Sequence, residues 1–252
     1  MAVTDSELFS FNGVDVANFL AGHGYLFKVN STSGRELIQQ EHNVSHVSGR
    51  DGGRLLDTTL PSRTITVEYT IKSDSYIDMR QLDDLLGGIF LSEGTKRLSF
   101  RDQVGHYNAT YKSKEVTLEN HLIQQGTLTF FCPEPFRFGN KVYLPEFAMT
   151  PTKSAMVEAN TNYQIEPILT FRTTGTATFF SVAFEGGSIR IEVPVKNGTI
   201  IEVNTQTAEV RVDRQIKVSE VTGSFPVLTS KPHYFIANIG ATFTGEYTEI
   251  YV

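Results

Sequence analysis

Eight consecutive residues, Thr64-Ile65-Thr66-Val67-Glu68-Tyr69-Thr70-Ile71, alternate polar with apolar side chains. A period of two puts every second side chain on one face of an extended chain, so this run predicts a half-buried β-strand. The stretches 115–118, 126–131, 165–171, 188–193, 199–203 and 209–212 share its character, rich in the β-branched and aromatic residues that suit a pleated surface. Between the runs 188–193 and 199–203, Asn197-Gly198 predicts a two-residue hairpin turn. One segment departs from this pattern. From Ser75 to Phe90 the apolar residues Met79, Leu82, Leu85, Leu86 and Ile89 recur at helical spacing, which predicts a helix over residues 75–87. Asp74 or Ser75 caps its start, Asp78 places negative charge in its first turn, and Gly87-Gly88 ends it. A shorter helix is expected over 14–20.

A boundary falls in Cys132-Pro133-Glu134-Pro135-Phe136, because two prolines one residue apart do not fit a central strand. Beyond it the helical pattern disappears and Asp213 is the one aspartate. The expected fold is therefore mainly β: an α+β first domain over 1–138 and an all-β second domain, a sandwich or jelly roll, over 139–252. A length of 252 residues accommodates two domains, and an apolar share of 40% supplies a core for each. No stretch approaches the roughly 20 apolar residues of a membrane helix. The opening residues carry Asp5 and Glu7 and no cationic region, so no secretory leader is expected. The lone Cys132 makes no internal disulfide and suits a reducing compartment.

Charge excludes one class of function. The net charge is −6, spread over both parts of the chain, and no basic run is present to neutralise a row of phosphates. Tight nucleic-acid binding is disfavoured, although an acidic surface can face DNA without holding it.

Candidate chemistry resolves into structure. His42 and His46, with Glu41 beside them, have the spacing of a helical metal pair, yet their surroundings favour strand or loop. There, side chains four apart stand about 13 Å from each other, too far to share a metal ion. Gly49-Arg50-Asp51-Gly52-Gly53-Arg54 lacks the spacing of a phosphate-binding loop and reads as a tight turn, with Asp51 capping it. Asp83-Asp84 lies on the polar face of the helix, and Glu202 and Glu209 are exposed, so no carboxylate pair flanks a cleft. No base adjoins Cys132, which reads as a buried structural thiol. No catalytic residue, metal site or cofactor is expected, and a hydrolase rests on nothing beyond abundant carboxylates. A lectin-like β-sandwich is the alternative, though the chain has no tryptophan on which a sugar ring could stack.

An ordered set of landmarks resembles the distal tail protein (Dit) family of siphophages that infect Gram-positive bacteria, close to the lactococcal type. Phe11-Asn12-Gly13-Val14 is similar to the family's opening strand and turn, and Gly49-Arg50-Asp51-Gly52 to its glycine-rich loop ahead of the 64–71 strand. The helix follows, then Leu98-Ser99-Phe100-Arg101-Asp102. Phe130-Phe131-Cys132-Pro133-Glu134-Pro135-Phe136 looks like the close of the family's first domain, and Phe225-Pro226-Val227-Leu228 like the element before its last strands. Ser230-Lys231-Pro232-His233 departs from the Gly and Asn that often follow there, and the length leaves no room for the carbohydrate-binding insertion of some relatives.

The resemblance implies a structural virion protein at the tail tip. Its first domains, β-sandwiches with one helix, would join into a six-membered ring whose lumen continues the tail tube and passes DNA without specific binding. Its second domains, galectin-like β-sandwiches, would hold baseplate or receptor-binding proteins. The major tail protein would sit on one side of the ring and a tail-associated lysin or fibre protein on the other. A ring of identical subunits needs complementary patches on opposite sides of each protomer. Arg50, Asp51, Gly52, Gly53 and Arg54 of the loop, with Thr64, Thr66 and Glu68 of the strand, are the candidates for that protomer contact.

Overall fold

The computed structural model describes residues 7–120, 122–217 and 219–252; the side chains of 76–80 lie outside the description. The backbone divides into two compact units, the second spanning Phe138–Tyr251.

The first unit runs β1 (Phe9–Phe11), β2 (Val14–Asp15), α1 (Val16–Ala21), β3 (Tyr25–Ser33), β4 (Glu41–Ser45), β5 (Arg54–Thr59), β6 (Arg63–Ser73), α2 (Tyr76–Phe90), β7 (Lys96–Phe100), β8 (His106–Glu119) and β9 (Ile123–Cys132). The alternating 64–71 run becomes β6, which buries Ile65, Val67, Tyr69 and Ile71 and turns Thr64, Thr66 and Glu68 outward. It pairs antiparallel with β3 on one side and β9 on the other. Strand β8 changes partner along its length: 107–109 pair with β7, while 110–119 pair with β9. One continuous strand thereby joins two sheets, and the fold closes around Phe9, Phe11, Phe27, Phe90 and Phe130. Phe9 packs edge-on against Phe27 and Phe130, with centroids 5.9 and 5.7 Å away, the arrangement aromatic quadrupoles prefer.

Both helices differ from expectation in their ends. Helix α2 does not stop at Gly87-Gly88 but runs through both to Phe90. A glycine ends a helix when it adopts positive φ, and neither of these does; burial of Leu86, Ile89 and Phe90 on the core holds the last turn in place. Ser75 is the N-cap without a side-chain bond of its own, and Ser73 Oγ accepts its backbone N–H. The expected roles of Asp78 and Met79 lie outside the described residues. Helix α1 starts at Val16 rather than Val14, because Asn12 and Gly13, both at positive φ, turn Val14 back to pair with Phe11. Asp15 then caps the helix, accepting from the Asn18 N–H at 2.9 Å.

The second unit holds β10 (Arg137–Met149), β11 (Ala155–Val157), β12 (Ile168–Thr173), β13 (Phe180–Phe184), β14 (Gly187–Ile191), β15 (Ile200–Asn204), β16 (Glu209–Val212), β17 (Gln215–Ile216), β18 (Val221–Gly223), β19 (His233–Ala237) and β20 (Ala241–Tyr251). One of its sheets has the order β17-β16-β15-β12-β20-β10 and the other β11-β19-β13-β14-β18. Phe171, Phe180, Phe235 and Phe243 fill the space between them. The architecture is the all-β sandwich that the short strands predict. The Asn197-Gly198 hairpin is corrected. Gly198 does sit at positive φ, but β14 pairs with β13 and β18 while β15 pairs with β12 and β16. The turn carries the chain from one sheet to the other instead of folding a strand back on its neighbour.

Candidate functional site

The glycine-rich loop is the tip of an arm. Among the described residues, strands β4 and β5 pair only with each other, as a two-stranded sheet of their own. Every residue of β5 is exposed, Leu55 at 56% and Leu56 at 57%. Arg50, Asp51, Gly52, Gly53 and Arg54 make the turn, with Gly49 and Gly52 at φ of 81° and 80°, where glycine is the favoured residue. A Cβ on Gly53 would collide with Val44 Cγ1, so this glycine permits the close approach of the two sides. A lone two-stranded ribbon is marginally stable in water. This one leaves Val44 and Leu55, directly opposite each other in register, uncovered.

The root of the arm is built quite differently. Arg63, at the start of β6, is 5% exposed. Its Nε donates to the Pro135 carbonyl at 3.0 Å, and its Nη1 to the carbonyls of Gly34 at 2.9 Å and Glu36 at 2.7 Å. These bonds tie the segment leaving β3 to the boundary segment around residue 135. Burying a cation is costly unless hydrogen bonds satisfy it; here carbonyl oxygens do so, with Tyr107 beneath the guanidinium. Next to it, Arg35 lies over the Phe100 ring and forks onto both carboxylate oxygens of Asp102 at 2.7 Å. The backbone N–H of Glu36 itself holds the Glu36 carboxyl below the usual range, against a desolvation penalty and helped by Gly34, Arg35 and Arg63. None of these root contacts is readable from sequence, since Arg63 and Pro135 stand 72 positions apart.

Thr64, Thr66 and Glu68 do not lie on a sheet edge. β6 is paired on both sides, and these side chains form part of an outward sheet face. That face carries hydroxyls, amides and the Glu68 carboxylate, with Lys28 and Lys72 at the end away from Thr64. Ser31 Oγ donates to Glu68 Oε2 at 2.8 Å, Ser33 and Thr66 share a hydroxyl bond, and Asn30, Thr70 and Gln125 are linked in a chain. Thr127 and Thr129 extend it on β9, opposite Glu68 and Thr66. The loop and the strand face thus belong to separate sheets.

The remaining candidates keep structural roles. His42 bonds to Thr58 Oγ1 at 3.1 Å across the arm. Among the described residues no group of three His, Cys, Asp or Glu is placed to hold a metal ion. Cys132 is fully buried, and burial pushes its thiol up to about 12, which keeps it from being a nucleophile at neutral pH.

Comparison with known proteins gives the class first. Residues 25–132, which span β3 to β9, match the model of the phage tail protein RIFT-related domain. The distal tail protein of Bacillus phage SPP1 is 24% identical over 147 residues, 57% of this chain and 55% of that protein, so the match spans about half of that relative's length. The crystal structure of SPP1 Dit, described as a paradigm of the hub adsorption apparatus in phages that infect Gram-positive bacteria, shares the fold. It has a TM-score of 0.77 at 18% identity and covers 97% of this chain and 99% of its own. A chain of the phage P2 baseplate in its activated conformation with calcium aligns over 87% of this chain and 90% of its own, with a TM-score of 0.41 at 10% identity. Residues 25–132 are thus similar to a phage tail protein domain, and the chain as a whole shares the fold of SPP1 Dit.

Proposed function

We propose that six copies of the chain close into a ring that continues the tail tube and hands it on to the adhesion machinery. In this reading the first units form the ring, through the arm residues Arg50–Arg54, and the outward face of β6 with its neighbours β3 and β9 lines the lumen. The second units carry baseplate or receptor-binding proteins. The major tail protein meets one side of the ring and a tail-associated lysin or fibre protein the other. The role is structural, with no catalysis.

The observation that carries this reading is the chemistry of the β3-β6-β9 face, joined to the likeness to phage tail proteins. DNA is held by cations that displace its counterions. Around Thr66 and Glu68 this face offers polar groups bonded to each other, Ser31 to Glu68 and Ser33 to Thr66 with Thr127 and Thr129 opposite, while its cations Lys28 and Lys72 stand at the far end. Such a surface is wetted and lets a polyanion slide past. The net charge of −6 acts in the same direction.

Negative-stain images of the purified full-length chain test the proposal. Rings with six-fold symmetry and a stain-filled centre are expected. Compact particles without a central hole, in the presence of the major tail protein as well as in its absence, would overturn it.

A further inference from the structure

Asn-Gly occurs twice in the chain, at 12–13 and at 197–198, and the fold treats the two pairs differently. A glycine after asparagine has no Cβ to stand between the Asn side-chain amide and the next backbone nitrogen. What then decides reactivity is whether that nitrogen is free to attack.

At 197–198 it is held. The Gly198 N–H donates to the Thr173 carbonyl at 2.8 Å. The turn around it is closed at both ends, with the Thr199 N–H on the Lys196 carbonyl and the Lys196 N–H on Thr199 Oγ1, each at 3.1 Å. At 12–13 the bonds fall elsewhere. The Asn12 N–H donates to the Arg97 carbonyl at 2.9 Å, while the Gly13 N–H and the Asn12 side chain have no partner among the described residues. Both residues are exposed, and nothing stands within 4 Å of the place a Cβ on Gly13 would take. The strand that follows, β2, is two residues long and closes the end of its sheet with β1 as its neighbour. Such a short edge pairing opens locally at little cost.

We propose that Asn12 is a site of spontaneous deamidation in the folded chain, and that the fold protects Asn197 from the same reaction. The Gly13 nitrogen attacks Asn12 Cγ. A C–N bond forms, the Cγ–Nδ2 bond breaks, and ammonia leaves with the proton that the Gly13 nitrogen gives up. Water then adds to either carbonyl of the cyclic imide and breaks one of its C–N bonds, leaving an aspartyl or an isoaspartyl linkage at position 12. Either product adds a negative charge. The isoaspartyl route runs the main chain through Cβ and lengthens a two-residue turn by one carbon, so that Phe11 no longer stands opposite Val14. The disturbance reaches Asp15, which caps α1 through the Asn18 N–H and pairs with Arg101 at 2.7 Å. The site lies outside the arm, and the inference stands apart from the ring reading.

The test is to hold the full-length chain in mildly alkaline buffer and to follow both pairs by peptide mass spectrometry, where each converted amide gains about 1 Da. In native buffer, conversion at Asn12 is expected to run at least about tenfold faster than at Asn197, whose attacking nitrogen must first be released by local opening. In concentrated urea the two rates should come together. Asn12→Gly keeps a residue at ease with the φ of 52° found there. That variant should remain a single species on ion exchange while the wild-type chain gains an acidic one. Conversion at Asn197 as fast as at Asn12 in native buffer would overturn the proposal. So would an unchanged Asn12 in native buffer when urea converts both, or an acidic species that forms equally in Asn12→Gly.

Discussion

The carbonyl oxygen of Thr64 occupies the space in which a Cβ on Gly34 would stand, and Gly34 itself sits at a φ of 82°. Two independent constraints therefore select glycine where the chain leaves β3 for the arm. A left-handed conformation costs a non-glycine residue about 1–2 kcal/mol, and a backbone collision adds to that because no side chain can swing away. Gly34→Ala is expected to destabilise the protein by more than about 2 kcal/mol. Gly52→Ala, also at positive φ but in open space, should cost about 1 kcal/mol. Urea unfolding followed by circular dichroism compares them; equal losses would remove the Thr64 contact from the argument.

Arg63 gives a second prediction. Removing its side chain leaves the carbonyls of Gly34, Glu36 and Pro135 without their donor. An unsatisfied buried group costs about 1–3 kcal/mol. Arg63→Ala should thus lower stability by several kcal/mol, and Arg63→Lys should recover little, since one ammonium does not reproduce a planar fork. Full rescue by lysine would mean that charge, rather than geometry, is what the root needs.

Arg50 and Arg54 are trypsin sites at the tip of an exposed ribbon. Limited digestion of dilute, unassembled chain should nick there first. The same chain in assembled particles should resist at both positions, because docking covers the tip. Equal cleavage rates in the two states would count against burial of the arm.

The second unit carries a pH dependence of its own. His233 Nε2 accepts the Thr229 backbone N–H at 2.9 Å, which requires an unprotonated nitrogen. Desolvation lowers its pKa from the ordinary 6.5, with Glu185 opposing. A base whose folded value lies below its unfolded value favours folding above 6.5, and that contribution is lost as pH falls through and beneath it. The melting temperature should therefore drop between pH 7.5 and 5.5, and His233→Gln should flatten that limb. An identical pH profile in the variant would assign the drop to other groups.

Local patterns in the sequence were sufficient where side chains decide locally. The 64–71 alternation became β6 because each alternate residue faces the same core, and the helical stripe became α2 because Leu82, Leu86 and Ile89 pack together. Pairing was not legible, because it is decided at long range. Asn197-Gly198 has the right turn chemistry, yet β14 and β15 find partners in different sheets. Gly87-Gly88 resembles a helix stop, but a helical glycine costs only about 1 kcal/mol against alanine, less than the burial of Phe90 supplies. The candidate site was half visible. The turn at 49–54 announced itself through its glycines. Its elevation on a bare ribbon, its anchoring by Arg63 and the interior position of β6 all depend on contacts between distant residues.

The mass of the purified chain in solution, by light scattering across a size-exclusion peak, tests the central claim most directly. The ring account predicts a species of six times 28.1 kDa. A single 28.1 kDa species at every concentration, with the neighbouring tail proteins added as well as without them, would contradict it.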